Sequence, residues 1–439
     1  MAKEHTSEKK SSKARRRVAI VGGLRTPFVK AGTAFQKVGA VELSRQLVSE
    51  LVARSPLAAD DIDRLVFGQV VGHPTIPNVA REVGLAAGLP FSMDAYTVAR
   101  ACATGTQALV EASMAILCGD IDTAIVGGVE ALSRPPMTYQ DAVVDALMAA
   151  NAAKAPLQKA RALLKIRPKD LLPVPPALKE PSTGLLMGES AEKMAKENGI
   201  GRQGQDAVAL RSHQRAAKAW ADGIYDEEVM TVLAPGKAGP EAVSKDGMVR
   251  ADVQADKLAA LKPVFDRKHG TISAGNSSPL TDGAAALLLM DADKAKARGI
   301  EPLAYVSSWA FAAVEPGGQL LSAPALAIPQ ALARAGTSMA ELTYVDLHEA
   351  FGAQVLSNLQ HLESDDWQRR YCGLAAQPHV APEHINVFGG SIAIGHPFAA
   401  TGARQVLTMA RALARKGAGR ALVSQCAAGG LAGACVIER

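Results

Sequence analysis

Apolar residues fall into short unbroken runs separated by longer stretches with helical spacing. Val18–Val21 is one such run, ended by Gly22-Gly23, and predicts a buried strand followed by a turn. Val41–Val52 carries helical spacing, and Arg64–Val71 and Tyr96–Val98 predict two further strands. The latter leads into Ala101-Cys102-Ala103-Thr104-Gly105. Leu109, Ala112, Ala115 and Ile116 then recur at helix spacing up to Gly119. Thr123–Val126 predicts a strand closed by Gly127-Gly128. Strands alternating with helices imply an α/β fold with a largely buried sheet.

Beyond residue 132 the pattern changes. Residues 133–261 hold more charge, several prolines and long helical patterns such as Ala191–Lys196 and Asp206–Trp220, which reads as a helical insertion. Strand patterns return at Thr271–Ser273 and Ala284–Met290. In the last third, Ala400-Thr401-Gly402-Ala403-Arg404-Gln405-Val406-Leu407 echoes Ala103-Thr104-Gly105-Thr106-Gln107-Ala108-Leu109. Each stretch opens a helix that leads to a strand, the second being Ala421–Gln425, and then to a glycine turn. The repeat favours two copies of one βα unit facing each other.

Composition narrows the class. The chain has 439 residues, 48% of them hydrophobic and 21% charged, which fits a folded chain with a sizeable core and excludes disorder over most of its length. No uncharged apolar run reaches the ~18 residues of a membrane span. Five cysteines without C-x-x-C spacing argue against a disulfide scaffold or a zinc ribbon. The net charge of +5 is local: residues 1–17 hold seven basic and two acidic side chains, and the rest of the chain is balanced. This tail lacks the apolar face of a structured arm, the apolar core of a secretory signal and the pattern of a transit peptide. It is expected to be a solvated, disordered leader on a cytoplasmic protein that does not bind nucleic acid.

Four residues sit where chemistry could occur. Cys102 follows a strand and precedes a helix, whose free N–H groups would stabilise a thiolate. His396 lies in Gly389-Gly390-Ser391-Ile392-Ala393-Ile394-Gly395-His396-Pro397, a shaped loop from which a histidine can take a thiol proton. Cys426 ends a strand before Ala427-Ala428-Gly429-Gly430, whose backbone N–H groups could form an oxyanion hole. His348, in Leu347-His348-Glu349-Ala350-Phe351, resembles half of a zinc-protease helix, but no second histidine follows at the required spacing, so no metal is expected. A lone cysteine is more often a small buried residue. Cys118, Cys372 and Cys435 take that reading.

Together these motifs resemble the thiolase family. The matching blocks run in family order: Arg25-Thr26-Pro27-Phe28, Gly127-Gly128-Val129-Glu130, Ala274-Gly275-Asn276-Ser277-Ser278, Asp282-Gly283-Ala284-Ala285, His348–Phe351, Gly395-His396-Pro397 and Cys426–Gly430. The resemblance implies two similar βαβαβαββ halves, each with a five-stranded sheet, in a layered α-β-α-β-α core. The N-terminal half would span 18–132 plus 262–293, a loop domain would be inserted at 133–261, and the C-terminal half would span 294–439. The implied reaction is thiolytic cleavage of 3-ketoacyl-CoA, with coenzyme A as a substrate and no resident cofactor.

Roles follow by position. Cys102 matches the acylated nucleophile, His396 the histidine that activates it and helps hold the thioester oxygen, and Cys426 the cysteine that moves the second proton. The backbone N–H groups of Cys102 and Ala428 match an oxyanion hole, provided Ala428 needs no positive φ. His348 stands where many thiolases have asparagine and looks like the thiolase subunit of the β-oxidation trifunctional complex, in which the histidine donates to the thioester oxygen. That implies a degradative enzyme with a hydratase/dehydrogenase partner, at least dimeric. Met187 and Ser278 match positions lining the pantetheine tunnel, and Arg250 an adenine-end contact.

Residues 151–180 hold seven basic residues against Asp170 and Glu180. Leu157, Ala160, Leu163 and Leu164 share one helical face and Lys154, Arg161 and Lys165 another. An ordinary amphipathic helix is the favoured reading, ahead of a surface at 151–168 for a partner subunit, CoA phosphates or an anionic membrane. Three rival functions are weighed. Cys426 and the lack of a basic docking face argue against a ketoacyl synthase. His348 mildly disfavours a biosynthetic acetoacetyl-CoA thiolase. The intact Cys102, His396 and Cys426 set argues against a non-catalytic acyl-CoA or lipid-binding scaffold.

Overall fold

The computed structural model describes residues 16–174, 176 and 179–439. The leader expectation for residues 1–15 therefore lies outside the described residues. Arg16 and Arg17 depart from it. The Arg16 guanidinium donates to the carbonyl of Ile116 at 2.9 Å and pairs with Asp122 and Asp291, and Arg17 pairs with Glu438 and stacks over Tyr305. These partners hold the end of the basic segment against the fold.

Twelve strands occur among the described residues. They are β1 Val18–Arg25, β2 Val29–Lys30, β3 Arg64–Gly68, β4 Asp94–Val98, β5 Thr123–Glu130, β6 Val232–Pro235, β7 Pro240–Val243, β8 Thr281–Asp291, β9 Ala304–Ala313, β10 Tyr344–Leu347, β11 Arg420–Ala427 and β12 Leu431–Glu438. One mixed sheet runs β10-β11-β12-β9-β1-β8-β5-β3-β4, with β2 on β8. On the N-terminal side β4, β3 and β5 are parallel, and β8 and β1 follow antiparallel. On the C-terminal side β10 and β11 are parallel, and β12 and β9 follow antiparallel. The two sides join where Val18–Ile20 of β1 pairs with Ala304–Val306 of β9. The C-terminal side has four strands rather than five. A single parallel bridge between Val345 and Ile385 takes the fifth place, because Asn386, at φ 54, leaves the extended conformation and turns its side chain onto Leu347.

The central layer is the pair of helices Thr104–Cys118 and Phe398–Lys416, the stretches that echo each other in sequence. Their glycines mark the crossing. A Cβ on Gly105 would lie 2.6 Å from the Ala403 nitrogen, and one on Gly402 2.7 Å from the Thr106 nitrogen. Buried side chains of both helices and of β1, β5, β8, β11 and β12 form one central core. Two outer cores cover the far faces of the sheet, one under helix Ala40–Arg54 and one under helix Pro324–Ala335. The helical window Ala101–Cys118 is long and apolar enough to cross a membrane, although Glu111 kept it from reading as an uncharged run. It is the helix at the centre of this core.

Several boundaries differ from expectation for identifiable reasons. Gly22-Gly23 and Gly127-Gly128 are not turns. β1 and β5 run straight through them, and a Cβ on Gly23 would lie 2.7 Å from Leu407 Cδ1 while one on Gly128 would collide with the Ala399 carbonyl. Gly23 and Gly128 admit the central helix, while Gly127 lies against the β8 backbone and Phe67. β3 stops at Gly68 because the N–H groups of Val70 and Val71 donate to the buried Glu130 carboxylate instead of to a neighbouring strand. Thr271–Ser273 forms only a single bridge, Pro263 to Ser273, since the Glu192 carboxylate takes the N–H groups of Thr271 and Ile272. Cys118 is exposed, not buried, at the end of its helix.

Between β5 and β8 lie helices including Asp141–Ala152, Pro156–Leu163, Met187–Glu197 and Arg202–Ala221, with the β6–β7 hairpin. The fully buried Arg25 binds this region to β1. Its guanidinium donates to Glu228 at 2.8 Å and to both oxygens of Asp246. The expected packing of helix Pro156–Leu163 does not occur. Ala162 is its one buried residue, while Leu157 and Leu164 are 63% and 83% exposed.

Candidate active site

Cys102, His396 and Cys426 meet at the floor of one cavity of about 300 Å³. Each comes from a different segment, Cys426 from the end of β11 and the other two from turns that open helices. Cys102 lies between the end of β4 and helix Thr104–Cys118. The turn that carries it is tight: Ala101 takes a left-handed φ of 42°, which costs a non-glycine residue roughly 1 kcal/mol. The Thr104 hydroxyl holds that turn, donating to the Ala101 carbonyl and accepting the Arg100 N–H, both at 2.7 Å. Sequence reading missed Thr104, although the side chain is a local helix-start signal.

His396 follows Gly395, whose φ of 114° and contact with Thr281 leave no room for a side chain. Its Nε2 is 3.1 Å from Cys102 Sγ, and its Nδ1 hydrogen-bonds Thr401 Oγ1 at 2.7 Å. Thr401 comes from the first turn of the helix that Pro397 opens, so the loop and helix together aim the ring. Cys426 ends β11, fully buried and packed among residues that include Ala350 and Phe351.

The backbone N–H groups of Ala428 and of Cys102 itself point at the Cys102 sulfur. Ala428 has no positive φ, so alanine serves where glycine was the alternative. The next N–H, of Gly429, donates to the buried Glu180 carboxylate at 2.7 Å, which fixes the loop from the segment after helix Pro156–Leu163. Nothing local in the sequence marks Glu180 for that contact.

His348 is buried behind His396, with ring centroids 4.0 Å apart. Its Nδ1 hydrogen-bonds Ser391 Oγ at 2.8 Å, and Ser391 also accepts from Arg404, itself paired with Asp346. His348 Nε2 is enclosed and has no hydrogen-bond partner among the described residues. Glu349, beside it, accepts from Ser212, Asn386 and the Ile392 N–H and so sets the Ser391 loop against the histidine.

Met187 and Ser278 line the same cavity with Leu186, Phe265 and Leu321. Arg250 does not. It is exposed, its backbone N–H donates to His213 Nδ1 at 3.3 Å, and it is absent from the cavity wall. The contact expected of it is with the adenine end of CoA, away from the reacting groups, so its place outside this wall does not count against it.

Burial dominates the electrostatics. It pushes the Cys102 thiol up to about 12, against the lowering effect of the two backbone N–H groups. It pushes His396 down to about 3, with Arg404 adding to the effect. His348 is also driven well down, by burial first and then by His396 and Arg404, and burial drives Cys426 well up. Burial therefore opposes the thiolate that the helix N-terminus and the two N–H groups favour, and it shifts both the thiol and the imidazole towards their neutral forms. The arrangement offers a nucleophile with its base, a second proton carrier across an apolar cavity, and two clusters of donors able to receive oxygen charge.

Comparison with known proteins agrees with this geometry. The thiolase N-terminal domain model matches residues 18–293 and the thiolase C-terminal domain model matches residues 300–439. The 3-ketoacyl-CoA thiolases of Yersinia enterocolitica (serotype O:8 / biotype 1B) and Yersinia pestis (strain Pestoides F) are each 48% identical over 423 residues, covering 96% of this chain and 97% of the relative. The crystal structure of the Bacillus anthracis acetyl-CoA acetyltransferase superposes with a TM-score of 0.84 at 32% identity, covering 97% of this chain and all of that one. With its fold, its two domain matches and its near full-length relatives in agreement, the chain belongs to the thiolase family.

Proposed function

We infer that the protein is an acyl-CoA:acetyl-CoA C-acyltransferase that cleaves 3-ketoacyl-CoA with coenzyme A. The observation that carries this reading is the 3.1 Å contact between Cys102 Sγ and His396 Nε2, with Cys426 on the same apolar cavity. His396 takes the Cys102 proton as the sulfur adds to the keto carbon. The C–C bond then breaks, its electron pair passes to the α-carbon of the departing acetyl-CoA, and Cys426 protonates that carbon. The incoming CoA thiol gives its proton to the Cys426 thiolate and attacks the acyl group on Cys102. The acyl group leaves as acyl-CoA, and His396 returns the proton to Cys102. The N–H groups of Cys102 and Ala428 hold the oxygen of each tetrahedral adduct, a contribution of ~3 kcal/mol per donor. His348 and His396 hold the thioester oxygen of acetyl-CoA. Ser391 can donate its hydroxyl proton to His348 Nδ1, which leaves Nε2–H as that donor. Coenzyme A is a substrate, and no step calls for a resident cofactor.

His348 in place of asparagine favours the degradative direction, in fatty-acid β-oxidation within the cytoplasm, beside a hydratase/dehydrogenase subunit. A homodimer or larger assembly is supported by β4, which among the described residues pairs with β3 alone and leaves an open sheet edge next to the exposed Phe91. The exposed leucines of 157–172, interleaved with Lys159, Arg161 and Lys165, favour a partner or anionic membrane surface over a buried amphipathic helix. Deleting 151–168 should weaken binding to anionic liposomes or to the partner subunit, and unchanged binding to both would reject that surface.

A thiolysis assay against 3-ketoacyl-CoA substrates of graded chain length tests the main reading. CoA-dependent release of acetyl-CoA and a shortened acyl-CoA is expected. No turnover at any chain length would overturn it.

A further inference from the structure

Cys102, His348 and His396 present one sulfur and two imidazole nitrogens whose donor atoms all lie within 4.8 Å of one another. We propose that this trio is also a binding site for one Zn²⁺ ion, which inhibits the enzyme reversibly by capturing the nucleophile. A thiolate and two neutral imidazoles are a common zinc donor set. Tetrahedral zinc places such donors about 3.3–3.6 Å apart, from bonds of about 2.0–2.3 Å. Cys102 Sγ and His396 Nε2 are already 3.1 Å apart, so side-chain adjustments of about 1 Å complete the triangle.

Three further observations fit an ion at this point. Each imidazole is oriented through Nδ1 by a hydroxyl, Thr401 for His396 and Ser391 for His348, the kind of outer contact that fixes metal-binding histidines. A hydroxyl can donate or accept, so both rings can carry the proton on Nδ1 and present a lone pair on Nε2. His348 Nε2 is buried and has no partner among the described residues, so an incoming cation breaks no hydrogen bond to them there. The half-buried Cys102 faces the substrate cavity, which supplies the entry path and an open fourth position for water.

The groups around the trio oppose one another. Arg404, held by Asp346, disfavours positive charge at both rings, whereas the buried Glu130 carboxyl lies on the Cys102 side. Binding exchanges the thiol proton for the metal. The S–H bond breaks, the sulfur pair forms the S–Zn bond, the proton leaves to solvent, and no electron is transferred. With that pair engaged the sulfur cannot add to a carbonyl, so zinc and acyl-CoA exclude each other.

The test titrates chelator-treated full-length protein with Zn²⁺ against a chromophoric zinc indicator. One equivalent should bind with a Kd of about 1 µM or tighter. Prior alkylation of Cys102 with iodoacetamide should abolish it, and His348→Asn should weaken it at least about tenfold. Cys118→Ser, which alters an exposed cysteine outside the site, should leave it unchanged. In the thiolysis assay, inhibition should be competitive with the acyl-CoA and reversed by EDTA. No binding tighter than about 100 µM, or binding indifferent to both alkylation and His348→Asn, would overturn the proposal. Alkylation of the unmutated protein keeps the test valid if His348→Asn fails to fold. Because the titration reads binding directly, its result stands apart from whether the protein performs thiolysis.

Discussion

Burial shifts Cys102 and His396 towards their uncharged forms, which sets when the nucleophile becomes reactive. Burial holds the thiol up to about 12 and the imidazole down to about 3, so at neutral pH the proton rests on sulfur. It moves only when the sulfur meets a carbon whose oxygen can be received by the waiting N–H groups, a reaction-coupled transfer. Alkylation of Cys102 by iodoacetamide without substrate should then climb about tenfold per pH unit from about pH 6 to 10 with no plateau, because the thiolate fraction grows that way below a raised thiol pKa. A plateau at or below about pH 8 would point to a preformed thiolate–imidazolium pair instead. The residue types were legible in the sequence, since Cys102, His396 and Cys426 each sit beside glycines or a helix start. Their charge states were not. A helix N-terminus is visible in a sequence, but the apolar enclosure that outweighs it is assembled from distant residues.

At the level of elements, the glycines proved the hardest signal. Gly22-Gly23 and Gly127-Gly128 read as turns, yet they lie inside strands, and at Gly23 and Gly128 a helix comes too close for a side chain. Sequence alone does not separate these uses, because a turn and a close approach select the same residue. Strand ends were displaced for a related reason: Glu130 and Glu192 take backbone N–H groups from segments far along the chain. The crossing of the two central helices gives a direct test. Gly402→Ala should destabilise the fold by about 1–3 kcal/mol in chemical denaturation, since its Cβ would meet the Thr106 backbone. Gly72→Ala, where nothing lies within 4 Å, should change stability by less than about 0.5 kcal/mol. Equal effects at both positions would mean the crossing tolerates a methyl group.

For the whole molecule, the repeated Ala-Thr-Gly stretches identified the two facing units, and the structure packs those same stretches against each other. What the repeat could not show is that both units share one continuous sheet, or that Asn386 breaks the would-be fifth strand of the second. The site depends on that assembly. Cys102 belongs to one unit, His396 and Cys426 to the other, and Glu180 steadies the Gly429 loop from the segment between β5 and β8. The most direct measurement is mass spectrometry of the protein mixed with a 3-ketoacyl-CoA, or with an acyl-CoA and no free CoA. The intact protein should gain one acyl group on Cys102, removable by added CoA. Cys426→Ala should still acylate slowly from the acyl-CoA, and Cys102→Ala should not acylate at all. An acyl group on another residue, or full turnover by Cys102→Ala, would contradict the assignment.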